Sequence, residues 1–141
     1  MSGTLFPDDR PADSDHRALC AQYVRCGRTL DDLPYTDELA ELCAHLGRSG
    51  DERGVLDELL RIRKRGDLPK TGAKAPGRTT IDAEHLPVLT RMVEEAAGSM
   101  GKRDRLPHTP EFDGLLARFN AECGLAMSAH DLWRVVARLA K

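Results

Sequence analysis

Leu33-Pro-Tyr-Thr-Asp-Glu-Leu39 recurs as Leu106-Pro-His-Thr-Pro-Glu-Phe112, with the pattern L-P-x-T-x-E kept, 73 residues later. Each opens an amphipathic helix. After the first, Leu39, Leu42, Cys43 and Leu46 recur at i, i+3, i+4 and i+7, and Gly47 closes the run. After the second come Phe112, Leu115, Leu116, Phe119 and Cys123, with Thr109 as N-cap, Pro110 at the first helical position and Gly124 as the stop. A further helix follows in both places. Ser49 with Glu52 reads as a capping box ahead of Val55, Leu56, Leu59 and Ile62, ending at Gly66. Ser128 with Asp131 stands in the same relation to Leu132, Val135, Val136 and Leu139. The far ends also match: Arg61-Ile-Arg-Lys64 aligns with Arg138-Leu-Ala-Lys141 at an offset of 77, so the second copy is expected to carry a turn longer by four. The competing explanation is that L-P-x-T-x-E is simply a common way to start a helix. The matched basic ends favour a repeat.

Each helix pair is preceded by one more helix. The first starts after Asp13 or Ser14, turns Leu19, Cys20, Tyr23 and Val24 inward, and stops near Gly27. The other runs from Asp82 to Ala97, with Leu86, Leu89, Met92, Val93 and Ala96 on one face and Pro87 confined to the first turn. The expected fold is all-α, with about six helices in two related three-helix units, 14–66 and 81–141. Residues 1–13 read as a disordered arm, and 67–80 as a basic linker or β-wing.

Composition agrees with this. In 141 residues, 40% are hydrophobic and only 4% aromatic, which argues against a β-sandwich. No apolar run approaches the ~20 residues of a membrane span. The first residues lack the basic and apolar regions of a secretory signal, so a cytoplasmic location is expected. Four cysteines occur without a C-x-x-C pair. His16, Cys20, Cys43 and His45 are the one combination with zinc-ligand chemistry, but their spacing fits no zinc pattern. Cys43 and Cys123 complete apolar stripes and are expected to be buried and unpaired, as small hydrophobes. No phosphate loop, dinucleotide turn or Ser-His-Asp context appears. Neither an enzyme, a metal nor a cofactor is expected.

The net charge of −2 conceals an asymmetry. Residues 1–60 hold 6 basic and 13 acidic side chains, whereas 61–78 hold 7 basic (Arg61, Arg63, Lys64, Arg65, Lys70, Lys74, Arg78) against Asp67 alone. Such a block binds polyanions locally, although cations also suit a helix C-terminus. The short-turn helix pairs, and the tail Leu59-Leu-Arg-Ile-Arg-Lys-Arg-Gly-Asp-Leu-Pro69, resemble the broad helix-turn-helix and winged-helix class. That resemblance implies DNA binding, with a recognition helix running into a wing. On a helical wheel His130, Arg134, Arg138 and Lys141 fall within about 80° of one another, opposite the apolar stripe. The last helix is therefore the expected reader, with Arg61, Arg63, Lys64, Arg65, Lys70 and Lys74 as backbone contacts. In the third helix Asp57 and Arg61 are expected to neutralise each other. The alternative is an adaptor that docks on another protein, with Trp133 as its anchor or else part of the core.

Overall fold

A computed structural model describes residues 9–73 and 79–139, with side chains from residue 16 onward. Six α-helices account for most of the described chain: α1 (Asp9–Cys26), α2 (Asp37–His45), α3 (Glu52–Lys64), α4 (Leu86–Ala97), α5 (Pro110–Cys123) and α6 (Ala129–Arg138). Short 3₁₀ turns occupy Leu30–Asp32, Ala83–His85 and Met100–Arg105. No strand forms among the described residues, and 74–78 of the expected wing lie outside them. The all-α fold is as expected. Helix α1 starts at Asp9 rather than after Asp13, and residues 1–8 of the expected arm lie outside the described chain. Among the described residues, no helix is long and apolar enough to cross a membrane.

The described residues divide into two compact units. One holds 9–29 and 38–73, the other 30–37 and 79–139. The connector 30–37 thus belongs with the second unit, not with the helices on either side of it in sequence. In the first unit, α1 buries Leu19 and Tyr23, α2 buries Leu39, Leu42 and Cys43, and α3 buries Val55, Leu56, Leu59 and Ile62. Each large apolar side chain removed from water contributes about 1.5–3 kcal/mol. Val24 and Leu86, expected on apolar faces, are instead exposed at 40% and 37%.

Turn chemistry sets the helix ends. Gly47 (φ 69°) and Gly66 (φ 82°) take the left-handed conformation that closes α2 and α3. After Gly47, Arg48 N–H donates to Cys43 O at 2.8 Å; after Gly66, Asp67 N–H donates to Ile62 O at 3.1 Å. The Ser49 capping box does not form. Asp51 is the N-cap of α3 without a side-chain bond, because Arg48 holds its carboxylate at 2.6 Å. In α5 and α6 the expected caps are present: Thr109 Oγ1 accepts from Phe112 N–H at 3.3 Å, and Ser128 Oγ from Asp131 N–H at 3.1 Å. The extra length of the second copy lies in its first helix, not its turn. Helix α5 has 14 residues against 9 in α2, while the loop 124–128 is one residue shorter than 46–51.

The second unit packs Leu89, Met92, Val93, Leu106, Phe112, Leu115, Phe119, Leu132, Trp133, Val135 and Val136 into one core, with Tyr35 against it. Asn120 pins the loop into α6, its side chain accepting from Met127 N–H at 3.0 Å and donating to Met127 O at 3.1 Å. Trp133 is 2% exposed and meets Phe112 edge-on, so it is a core residue and not a surface anchor. Cys123 is only half-buried at the rim of this core, not fully buried as expected.

Both L-P-x-T strings make the same turn. Thr36 and Thr109 each donate their hydroxyl to the carbonyl three residues back, Leu33 O at 2.6 Å and Leu106 O at 2.5 Å. The residue before each Thr has positive φ, 66° at Tyr35 and 62° at His108. The two turns face each other within the second unit. Tyr35 N–H donates to His108 Nε2 at 3.0 Å, and His108 N–H donates to Tyr35 Oη at 2.6 Å. Their rings stack with centroids 4.1 Å apart. The first bond requires a lone pair on Nε2, so His108 is neutral with its proton on Nδ1.

Replacing Tyr35 by Phe strands the His108 N–H and should lower stability by about 1–2 kcal/mol. His108→Ala should cost a similar amount, and the double variant distinctly less than the sum, in urea unfolding. Additive effects would show that the two turns do not act together. Burial pushes the Cys43 thiol up to about 11, with Glu52 and Asp51 adding to the rise and Arg48 opposing it. Thiolate is the reactive form, so native-state labelling should find Cys43 the slowest of the four cysteines. Labelling of Cys43 as fast as Cys20 would mean that α2 opens readily.

Candidate nucleic-acid interface

The cations expected to contact nucleic acid fall into two groups with opposite fates. On α6, His130 Nε2 lies 3.0 Å from Asp32 Oδ1, and Arg134 Nε lies 3.6 Å from the same oxygen. The His130 contact is a hydrogen bond; the Arg134 contact, at that length, is an ion pair only. Exposure of the side chains is 25% for His130, 18% for Arg134 and 8% for Asp32. Between them on the helix, Trp133 Nε1–H donates to Asp31 O at 3.0 Å. Arg103 reaches the end of the same helix, its Nη2 3.5 Å from Ala137 O. Arg138 is half-buried. The face expected to read DNA is thus occupied by the connector 30–37 of its own unit. The helical wheel placed these side chains correctly away from the core stripe, but the connector covers that side.

On α3 the outcome differs. Arg61, Arg63, Lys64 and Arg65 are all exposed in the last turn and at the C-cap, and Lys70 is exposed beyond it. Asp57 pairs with Arg53 at 2.7 Å rather than with Arg61, so the expected neutralisation of Arg61 does not occur. Arg65 is held loosely, with Nε 3.7 Å from Asp67 Oδ2 and Nη2 3.4 Å from His16 Nδ1. Lys74 and Lys141 lie outside the described residues. The Schellman turn at Gly66 fixes where the helix stops, so Arg61, Arg63, Lys64 and Arg65 gather around the last turn and C-cap of α3.

Residues of the zinc-type combination differ in their surroundings. His16 and Cys20 are half-buried one turn apart on α1, Cys43 is buried in α2 and His45 is exposed at its end. Among the described residues, no three of His, Cys, Asp or Glu are grouped as a metal ion would need. Asp32 is a site residue that sequence alone does not reveal. A short acidic connector carries no periodicity, and the partners of Asp32, His130 and Arg134, stand far along the chain on α6.

Asp32→Ala leaves His130 and Arg134 half-buried without their anion and should destabilise by about 2–4 kcal/mol. Arg134→Ala should cost about 1–2 kcal/mol, not the near-zero change of a solvated side chain. Thermal or urea melts decide it; an unchanged melt for both variants would return the α6 face to solvent. Comparisons with protein families, with curated proteins and with solved structures found no match to this chain.

Proposed function

We propose that the chain binds DNA through the backbone phosphates, using the basic exit of α3 in the first unit. The observation that carries this is the run of exposed cations Arg61, Arg63, Lys64, Arg65 and Lys70, with Asp67 as the one acidic residue in that stretch of sequence. Cations at a helix C-terminus favour the dipole, which accounts for part of the cluster. It does not account for Lys70, which lies beyond the helix. Exposed guanidinium and ammonium groups gathered at one helix end suit phosphates, and such contacts position without reading sequence. With His130 and Arg134 committed to Asp32, α6 supplies no base-reading face in this proposal, so the binding is independent of sequence. The reading includes no catalytic step and no cofactor. The twin L-P-x-T turns, alike in conformation, support a duplicated helix-pair ancestry for the two copies.

Titration of a fluorescent duplex with the protein across a salt series tests this. Affinity should fall steeply with salt. The triple variant Arg61→Gln, Arg63→Gln, Lys64→Gln should weaken binding and flatten the log–log slope by about 0.9 for each phosphate no longer neutralised. Its melting curve should match the parent's within about 0.5 kcal/mol. Absence of binding at low salt would overturn the proposal and favour a role in docking on another protein.

A further inference from the structure

Helix α1 adds a titratable group to the basic edge at α3's end. His16 is half-buried, with Nδ1 3.4 Å from Arg65 Nη2. Arginine offers only donors, so this contact needs the Nδ1 lone pair, and hence an imidazole protonated on Nε2 alone. In that state Nδ1 accepts from the guanidinium, whose Nε on the same edge lies 3.7 Å from Asp67 Oδ2. Once His16 is doubly protonated it has no acceptor, and two cations stand next to each other. The charged groups that the α3 exit brings to this face of α1 are Arg65 and Asp67. On α1 itself, among the described side chains, the charged or titratable neighbours in sequence are Arg17 and, one turn on, Cys20. Burial pushes the Cys20 thiol up, with Asp67 adding to the rise and Arg65 opposing it, which places Cys20 beside the same pair.

Resting on the DNA-backbone reading of the α3 exit, we propose that His16 and Arg65 form a proton-operated latch on that edge. Neutral His16 holds Arg65 back. Protonated His16 releases it and becomes a further cation, and a phosphate oxygen bridging the two relieves their repulsion. Binding and protonation then assist each other, so affinity for duplex DNA rises as the pH falls through the range in which histidine changes charge.

The test is the fluorescent-duplex titration at constant ionic strength, at pH of about 6 and about 8, with melting curves at both to confirm folding. The parent should bind roughly three- to tenfold tighter at the lower pH, the gain expected of one added phosphate contact at moderate salt. His16→Gln should lose most of that gain while keeping its salt dependence at the higher pH. His16→Lys, charged throughout, should bind at the higher pH about as the parent does at the lower. If His16→Gln keeps the full gain, the latch is overturned while salt-steep binding, and with it the reading of the α3 exit, survives. If the parent binds at neither pH, both fall together.

Discussion

The Asp32 side chain is almost wholly out of water, and the second unit is arranged so that this is tolerated. A carboxylate in such a place must be met by donors and cations, or its desolvation outweighs what its neighbours gain. His130 and Arg134 meet it from one face of α6, and the intervening Trp133 donates to the carbonyl of Asp31. These contacts fix the 3₁₀ turn 30–32 against α6. Leu30 and Leu33 are then carried inward to 4% and 0% exposure. Tyr35 arrives opposite His108, and Thr36 is set to close the turn from which α2 departs. One buried charge therefore helps to determine the path of the connector and the start of a helix.

The Tyr35–His108 pairing shows how an unfavourable backbone state is retained. Neither residue is glycine, and left-handed φ in an L-residue costs about 1–2 kcal/mol. Each residue offsets that cost with the same set of contacts: a buried leucine and proline before it, a threonine hydroxyl bonded back to the leucine carbonyl, and a bond to its counterpart's side chain. The rings stack because the two turns present them from matching positions. Tyr and His can exchange bonds in this way because each has an acceptor at the far end of a planar ring.

Much of the fold was legible locally. The apolar spacing from Leu39 to Leu46 and from Phe112 to Phe119 marked helices, and Gly47, Gly66 and Gly124 marked their ends. Thr109 and Ser128 cap as expected, each with extended backbone that turns its side-chain oxygen to the amide three residues on. Ser49 does not, because Arg48 captures Asp51 and the helix begins later. The candidate site was less legible for a different reason. A helical wheel gives the direction of Arg134 but not what stands across from it. That depends on Asp32, in a segment where two aspartates between leucines look like a solvated linker. The pairing is non-local, and no periodicity within the connector records it. The α3 exit was legible because its meaning is compositional: seven cations and one acid in 18 residues need no distant partner to be recognised.

The charge balance also limits how a polyanion can approach. At physiological ionic strength fields decay over about 8 Å, so the net charge of −2 matters less than what lies within that distance of a phosphate. The first 60 residues carry an excess of seven acidic side chains, and they repel a duplex wherever they are exposed. A net negative chain with a local cluster of cations does not steer a polyanion from afar, so on the proposed reading contact depends on the cations at α3's end. An exposed cation already engaged by a carboxylate contributes less there, because the ligand must displace that partner. Asp67 so engages Arg65. On the proposed reading, Asp67 therefore limits what Arg65 adds, and a second cation beside Arg65 would act on a phosphate without having to break that ion pair first.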